Sequence, residues 1–279
     1  MRIFLAGGTG VIGRRLVPAL IAAGHEVTAT TRRRRSLEQI DRWGGRGVVV
    51  DVYDAAHLTE LVGAAAPDLV MHQLTDLRYF DTEATARIRR VGTSNLVSAA
   101  ERAGVDRVIV QSIAWAYQDG PGPADEQQPI EEGSAVADME ELARRLAAPT
   151  ILRYGWWYGP DTWYAEGGRV AEAVSRGVLP VTRTFHSFVH IDDAVSATIQ
   201  SLDWPTGVYN VVDDEPAPAT EWLPVYAAAI GAPGLVSAAP STGSPSGRGA
   251  SNAKARAAGW SPRYASWRAG FSAAGLRGP

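Results

Sequence analysis

The 279-residue chain contains no cysteine, and Lys254 is its only lysine; the other 26 basic residues are arginine. Lack of cysteine excludes a disulfide scaffold, a thiolate zinc site and a cysteine nucleophile. The near-absence of lysine leaves one candidate for any chemistry that needs an amine. No apolar run approaches the roughly 20 residues of a bilayer span. A formal charge of −3 lacks the cationic excess on which general nucleic-acid affinity rests. The opening MRIFLAGGTG breaks at glycines too early for a secretory h-region. The expectation is a soluble, cytoplasmic protein with a small-molecule ligand, without membrane, nucleic-acid or metal partner. With 46% apolar residues, the length suits one large or two intimate domains.

Short β-branched runs alternate with longer amphipathic patterns through the first half, the signature of a parallel sheet covered on both faces. The pattern predicts strands at Arg2 to Ala6, Glu26 to Thr30, Gly47 to Val50, Leu69 to His72, Arg107 to Gln111 and Thr150 to Tyr154. Helices are predicted at Val11 to Ala23, Ser36 to Trp43, Ala56 to Ala64, Thr82 to Ala103 and Val136 to Leu146, from apolar residues at three- and four-residue spacing. Residues 238–249, almost wholly Ser, Pro, Gly, Ala and Thr, predict a flexible loop.

The first strand runs into Gly7-Gly8-Thr9-Gly10-Val11-Ile12-Gly13 and then a helix. Gly7 permits the tight turn, Gly10 clears room for a pyrophosphate, and Gly13 lets helix pack on strand. The helix N-terminus then directs free N–H groups at the anion. Gly7, Gly10, Val11, Ile12 and Gly13 are therefore assigned to dinucleotide binding. After the second strand an NAD site carries an acid for the ribose 2′-hydroxyl; here the chain reads Thr30-Thr31-Arg32-Arg33-Arg34-Arg35, with no acid before Glu38. Guanidinium groups at that place select a 2′-phosphate. The cofactor expected is NADP(H), bound chiefly by Arg32 and Arg33.

These motifs, with QSIAWAY at 111–117, LRYGWWYGP at 152–160, FVHIDD at 188–193 and SNAKARAAGWSPRYASWRAGF at 251–271, resemble those of the extended short-chain dehydrogenase/reductases of the epimerase/dehydratase type, specifically an atypical branch. The resemblance implies an α/β fold: a Rossmann-type doubly wound parallel sheet with a small C-terminal substrate lobe. Residues 1–158, with 184–212 returning, would form the cofactor domain, and 159–183 with 213–279 the lobe. By the same analogy Asp51 and Val52 border the adenine, Gln73 and Leu74 the nicotinamide ribose, and Trp156 and Trp157 the nicotinamide. Members often pair through a helical interface, so monomer and homodimer both stay open.

The family's Tyr-x-x-x-Lys pair is missing, since no tyrosine has lysine four residues on. Lys254, in the C-terminal segment, suits a surface role. Ser112, at the end of the fifth strand, stands where the family polarises a substrate carbonyl. Tyr117, five residues on, or a water, is the candidate replacement acid. Trp115, Tyr158, Trp163 and Tyr164 could line a pocket for a flat or apolar molecule. His186 replaces an arginine that meets a diphosphate in sugar-nucleotide members, which argues against such a substrate. His72, His190 and Asp192 are read as structural. The leading expectation is an NADP(H)-dependent oxidoreductase acting on a small apolar or aromatic carbonyl or alcohol. The alternatives are a non-redox lyase, isomerase or cyclase, and a cofactor-binding sensor without catalysis.

Overall fold

The computed structural model describes residues 1–75, 82–232 and 247–277. The chain order is β1 (Arg2–Ala6), α1 (Gly13–Ala22), β2 (Glu26–Thr31), α2 (Leu37–Arg42), β3 (Arg46–Val49), α3 (Ala55–Ala65), β4 (Leu69–His72), α4 (Thr82–Arg87), α5 (Thr93–Arg102), β5 (Arg107–Ile113), α6 (Ala135–Ala143) and β6 (Ala148–Tyr154). There follow β7 (Trp156–Tyr158), α7 (Arg169–Ser175), β8 (Phe185–His186), β9 (Phe188–His190), α8 (Ile191–Gln200), β10 (Gly207–Val211), β11 (Ala217–Pro218), α9 (Ala219–Ala229), α10 (Ala253–Ala257), α11 (Trp267–Gly270) and α12 (Ala273–Arg277).

Seven strands form one sheet in the order β10-β6-β5-β4-β1-β2-β3, and the pairs β2/β3, β1/β2, β1/β4 and β4/β5 are parallel. The order reverses between β1 and β4, where Ala6 registers with His72. Open α/β sheets bind ligands at such a switch point, beyond the carboxyl ends of the strands. The fold class is thus the doubly wound α/β sheet expected. β4 is buried at all four positions, the apolar Leu69, Val70 and Met71 and the polar His72.

The chain divides into two compact units. The first comprises Met1–Ser112, Glu131–Leu152 and Thr198–Val208; the second comprises Ile113–Ile130, Arg153–Ala197 and Tyr209–Pro279. In the first, Phe4, Val50, Leu58, Val62, Leu96, Val97 and Met139 belong to one buried cluster. In the second, Tyr158, Tyr164, Phe188, Trp222, Tyr226, Trp267 and Phe271 form an aromatic core, with mostly edge-on ring contacts such as Tyr158–Phe271 at 5.2 Å and Phe188–Trp222 at 5.3 Å.

Two expectations change. The single helix from Thr82 to Ala103 is interrupted by a π-helical turn at Ile88–Gly92. Gly92 packs there so closely that a Cβ would lie 3.2 Å from both Val52 and Ile88. Of the loop expected at 238–249, residues 238–246 lie outside the described residues, but 247–249 are held in place. Asp119 accepts from the Gly247 N–H at 2.6 Å, and Arg248 donates to the carbonyls of Gly122 and Pro121 at 2.9 and 3.0 Å.

Ala66 closes α3 in the left-handed region, at φ 41° and ψ 56°, where a Cβ is disfavoured. Because the residue is exposed, Ala66→Gly should raise the unfolding free energy by about 0.5–1 kcal/mol, read from urea midpoints.

Candidate functional site

At the switch point the glycine turn is built by contacts that exclude larger residues. Gly7 has φ +99°, and a Cβ on it would lie 2.6 Å from the Gln73 carbonyl oxygen; one on Gly13 would lie 2.1 Å from the Gly7 carbonyl oxygen. Gly10 is exposed and a Cβ there would meet only the Gly7 carbonyl, at 3.3 Å, so its surface stands open to a ligand. The end of β2 pins the turn: the Thr30 carbonyl accepts from the Gly8 N–H at 3.0 Å, and the Thr30 hydroxyl accepts from the Gly7 N–H at 3.0 Å. The Thr31 hydroxyl lies 3.3 Å from that of Thr9 and accepts from the Arg33 N–H at 3.2 Å. The exposed run Arg32 to Arg35 therefore starts directly beside the cradle. Val11 is half-buried, and Ile12 is buried beneath α1.

Exposed Asp51 accepts from the Tyr53 N–H, and the carbonyl of buried Val52 accepts from Asn95. Gln73 continues β4 by donating its N–H to the Ala6 carbonyl at 2.9 Å. Its side chain is 4% exposed, and neither amide atom has a hydrogen-bond partner among the described residues. A buried primary amide without partners is costly, and a polar ligand on the cradle would relieve that cost. Leu74 is half-buried and donates its N–H to His72 Nδ1 at 3.3 Å. The other ring nitrogen of His72 lies 2.8 Å from the Thr93 hydroxyl, and burial pulls the imidazole pKa down to about 4. His72 is a neutral structural residue, as expected.

Ser112 and Tyr117 are arranged differently from the sequence expectation. Ser112 is 1% exposed and gives its hydroxyl proton to Glu140 Oε1 at 2.7 Å; Glu140 is itself fully buried and also accepts from Arg144 at 3.3 Å. Tyr117 is buried and gives its proton to Asn210 Oδ1 at 2.7 Å, with the Arg153 guanidinium 4.7 Å from its ring centre. Burial pushes the Tyr117 phenol above its usual range. Each hydroxyl has one proton, and both protons are committed to internal acceptors.

The aromatic residues also separate into two groups. Tyr158 and Tyr164 are core residues of the second unit, 0% and 5% exposed, so the pocket role expected for them is corrected: alternation in β7 turns Tyr158 inward. Trp157, on the other face of β7, packs edge-on to Tyr154 at 5.5 Å. Trp115 and Trp156 instead form a parallel stack, ring centres 4.0 Å apart at 11°, with Trp115 39% exposed. Trp163 and His186 lie 6.4 and 6.0 Å from Trp156. His186 Nδ1 accepts from the Trp222 indole at 3.2 Å, and burial holds its pKa near 4. His190 is buried, its Nε2 3.0 Å from the Gly275 carbonyl oxygen, a structural role. Lys254 is exposed over the Tyr209 ring at 4.4 Å. Glu140 and Asn210 escaped assignment from sequence, because nothing local marks partners 28 and 93 residues away.

The profile of the NAD dependent epimerase/dehydratase family matches residues 3–211. The chain belongs to that family. Its likeness to the 3-diazoavenalumate denitrifying reductase of a Streptomyces species is 41% identity over 306 aligned positions, covering 97% of this chain and 99% of that one. A 4-hydroxy-2-methyl-3-oxo-4-farnesyl-3,4-dihydroquinoline-1-oxide ketoreductase of Stigmatella aurantiaca is 31% identical over 175 residues, 58% of this chain and 52% of its own. Among solved structures, the UDP-glucose 4-epimerase of Thermus thermophilus in complex with NAD superimposes with a TM-score of 0.76 at 26% identity, covering 94% of each chain. A nicotinamide nucleotide is the cofactor class consistent with these relatives. No helix among the described residues is long and apolar enough to cross a membrane.

Ser112→Ala should lower the unfolding free energy by about 1–3 kcal/mol, because it leaves a buried Glu140 oxygen without its donor. Glu140→Ala should cost more, since it leaves the buried Ser112 hydroxyl without its acceptor and a cavity where the fully buried side chain stood. Urea denaturation of the two variants checks the order; a neutral Ser112→Ala would remove the buried pair from the account.

Proposed function

We propose that this protein is an NADP(H)-dependent reductase that directs a hydride onto a small aromatic diazo compound, a step that asks no proton of Ser112 or Tyr117. The cradle suits the dinucleotide on physical grounds: glycines that leave its surface open, a helix N-terminus behind it, and a buried amide lacking partners among the described residues. Gly7, Gly10, Val11, Ile12 and Gly13 would hold the diphosphate, with Asp51 and Val52 near the adenine and Gln73 and Leu74 near the second ribose. Arg32 and Arg33 would pair with the 2′-phosphate, as exposed guanidinium groups that directly follow β2 beside the glycine turn. When bound, NADPH supplies a hydride.

The observation that carries the substrate class is the commitment of both candidate protons, Ser112 to Glu140 and Tyr117 to Asn210. Carbonyl reduction needs an acid for the developing alkoxide, and neither hydroxyl is poised to be one. An aryl diazonium needs none. The hydride pair forms the new C–H bond, the C–N pair leaves with dinitrogen, and charge balances without a proton. The full-length relative named as a denitrifying reductase of a diazo acid supports this choice over a ketone. Ser112 and Tyr117 would act as internal braces.

With NADPH and a hydroxyarenediazonium salt, nicotinamide absorbance should fall in step with dinitrogen release. Tyr117→Phe should retain turnover within about tenfold, whereas loss of a general acid would cost about 10²–10⁴-fold; a loss of that size would return Tyr117 to the chemistry. Dinitrogen release with formation of the phenol and no NADPH oxidation would point to a non-redox enzyme, and binding without conversion to a sensor. In titrations, wild type should bind NADPH well above NADH, and Arg32→Ala should weaken NADPH about tenfold or more while leaving NADH unchanged. Equal affinities in wild type would remove the assignment to NADP(H).

A further inference from the structure

The π-helical turn Ile88–Gly92 is fastened on both sides to the carboxyl-terminal edge of the sheet. Toward β3, Gly92 packs on Val52, and Asn95 donates to the Val52 carbonyl at 2.9 Å. Toward β4, Thr93 meets the His72 ring at 2.8 Å. Single π turns commonly mark functional positions, and this one presents basic residues at the edge where the glycine cradle lies. Two of the three arginines around it have structural partners. Arg87 lies 4.1 Å over the Tyr53 ring, and Arg90 donates to Asp138 at 2.5 Å and to the Gly133 carbonyl at 3.1 Å.

Arg89 has no such partner among the described residues. It is half-buried, and no carboxylate there lifts its pKa; burial alone acts on it, and lowers it. Its charge is near enough to His72 to depress that imidazole further. A guanidinium held partly out of water without an anion is unfavourable, and carries a fork of donors matched to carboxylate and phosphate.

We propose that Arg89 is an oxyanion receptor at the ligand edge of the first unit, taking either a phosphate of the dinucleotide or the carboxylate of an acid substrate. The inference rests on the dinucleotide reading for one of its two sources and stands without it for the other. The test compares the full chain with Arg89→Met, an unbranched replacement of similar reach. An unsatisfied cation is removed, so the ligand-free variant should melt roughly 2–4 °C higher. Its affinity for an oxyanion ligand should meanwhile fall about tenfold or more. Calorimetry uses NADP⁺ in one arm and sodium 4-hydroxycinnamate in the other. Loss confined to NADP⁺ assigns the phosphate, and loss confined to the cinnamate assigns the carboxylate. Unchanged affinity in every arm that wild type binds overturns the proposal, as does a variant that melts lower. Failure of wild type to bind NADP⁺ would sink the dinucleotide reading, leaving Arg89 to be judged on the cinnamate arm, where absence of wild-type binding would overturn it too.

Discussion

The approach of the first helix to the end of the first strand constrains everything at this edge. With a Cβ on Gly13 placed 2.1 Å from the Gly7 carbonyl and one on Gly7 placed 2.6 Å from the Gln73 carbonyl, the turn tolerates no side chain at either position. That closeness brings α1, β4 and the end of β2 around one patch of exposed backbone. The two threonines ending β2 secure it with side-chain and main-chain hydrogen bonds. The same contact leaves the Gln73 amide buried and, among the described residues, unpaired, a cost that tight packing imposes and a bound nucleotide would offset. A structural turn that had lost its ligand would have no reason to retain a buried amide in that state.

The near-absence of lysine has its structural counterpart in the treatment of protons. Where a lysine would lower the pKa of a neighbouring phenol, this chain buries Tyr117, raises its pKa and directs its proton to Asn210. Asn210 is in turn fixed through its side-chain N–H groups by the carbonyls of Ala124 and Ser251 at 3.1 and 3.0 Å, and its own N–H is held by Glu126. The asparagine oxygen has no freedom to turn away, so the phenol is braced from behind. Ser112 is treated alike by Glu140. Hydroxyls locked in this way are rigid, and burial keeps the Tyr117 phenol from ionising within its usual range.

Much of the fold was legible because strands and helices announce themselves locally. β1 and β4 match their predicted ranges, and the glycine turn and the arginine run, close in sequence, are also close in space. Less legible were features decided by partners far along the chain. Ser112 looks like a substrate donor until Glu140, 28 residues on, takes its proton. Tyr158 and Tyr164 look like pocket residues because aromatic stretches after sheet strands suit either role; only the packing of Phe188, Phe271 and Tyr226 around them decides for the core. The π turn also had no local signature: its Gly92 meets Val52, 40 residues earlier in the chain.

The two tryptophans of the parallel stack show how sequence and packing divide the work. Trp156 belongs to β7 and registers with Phe188 of β9, so its backbone is fixed by the sheet and one side of its ring by the aromatic core. Trp115 stands in a short turn beyond β5 and remains 39% exposed. A stack with one member anchored and the other partly in water keeps its geometry without closing its outer surface. An indole pair would normally bury such area in a core, where it contributes most. Its placement at the surface of the second unit gives up that stability for a flat, electron-rich face that stays in contact with water.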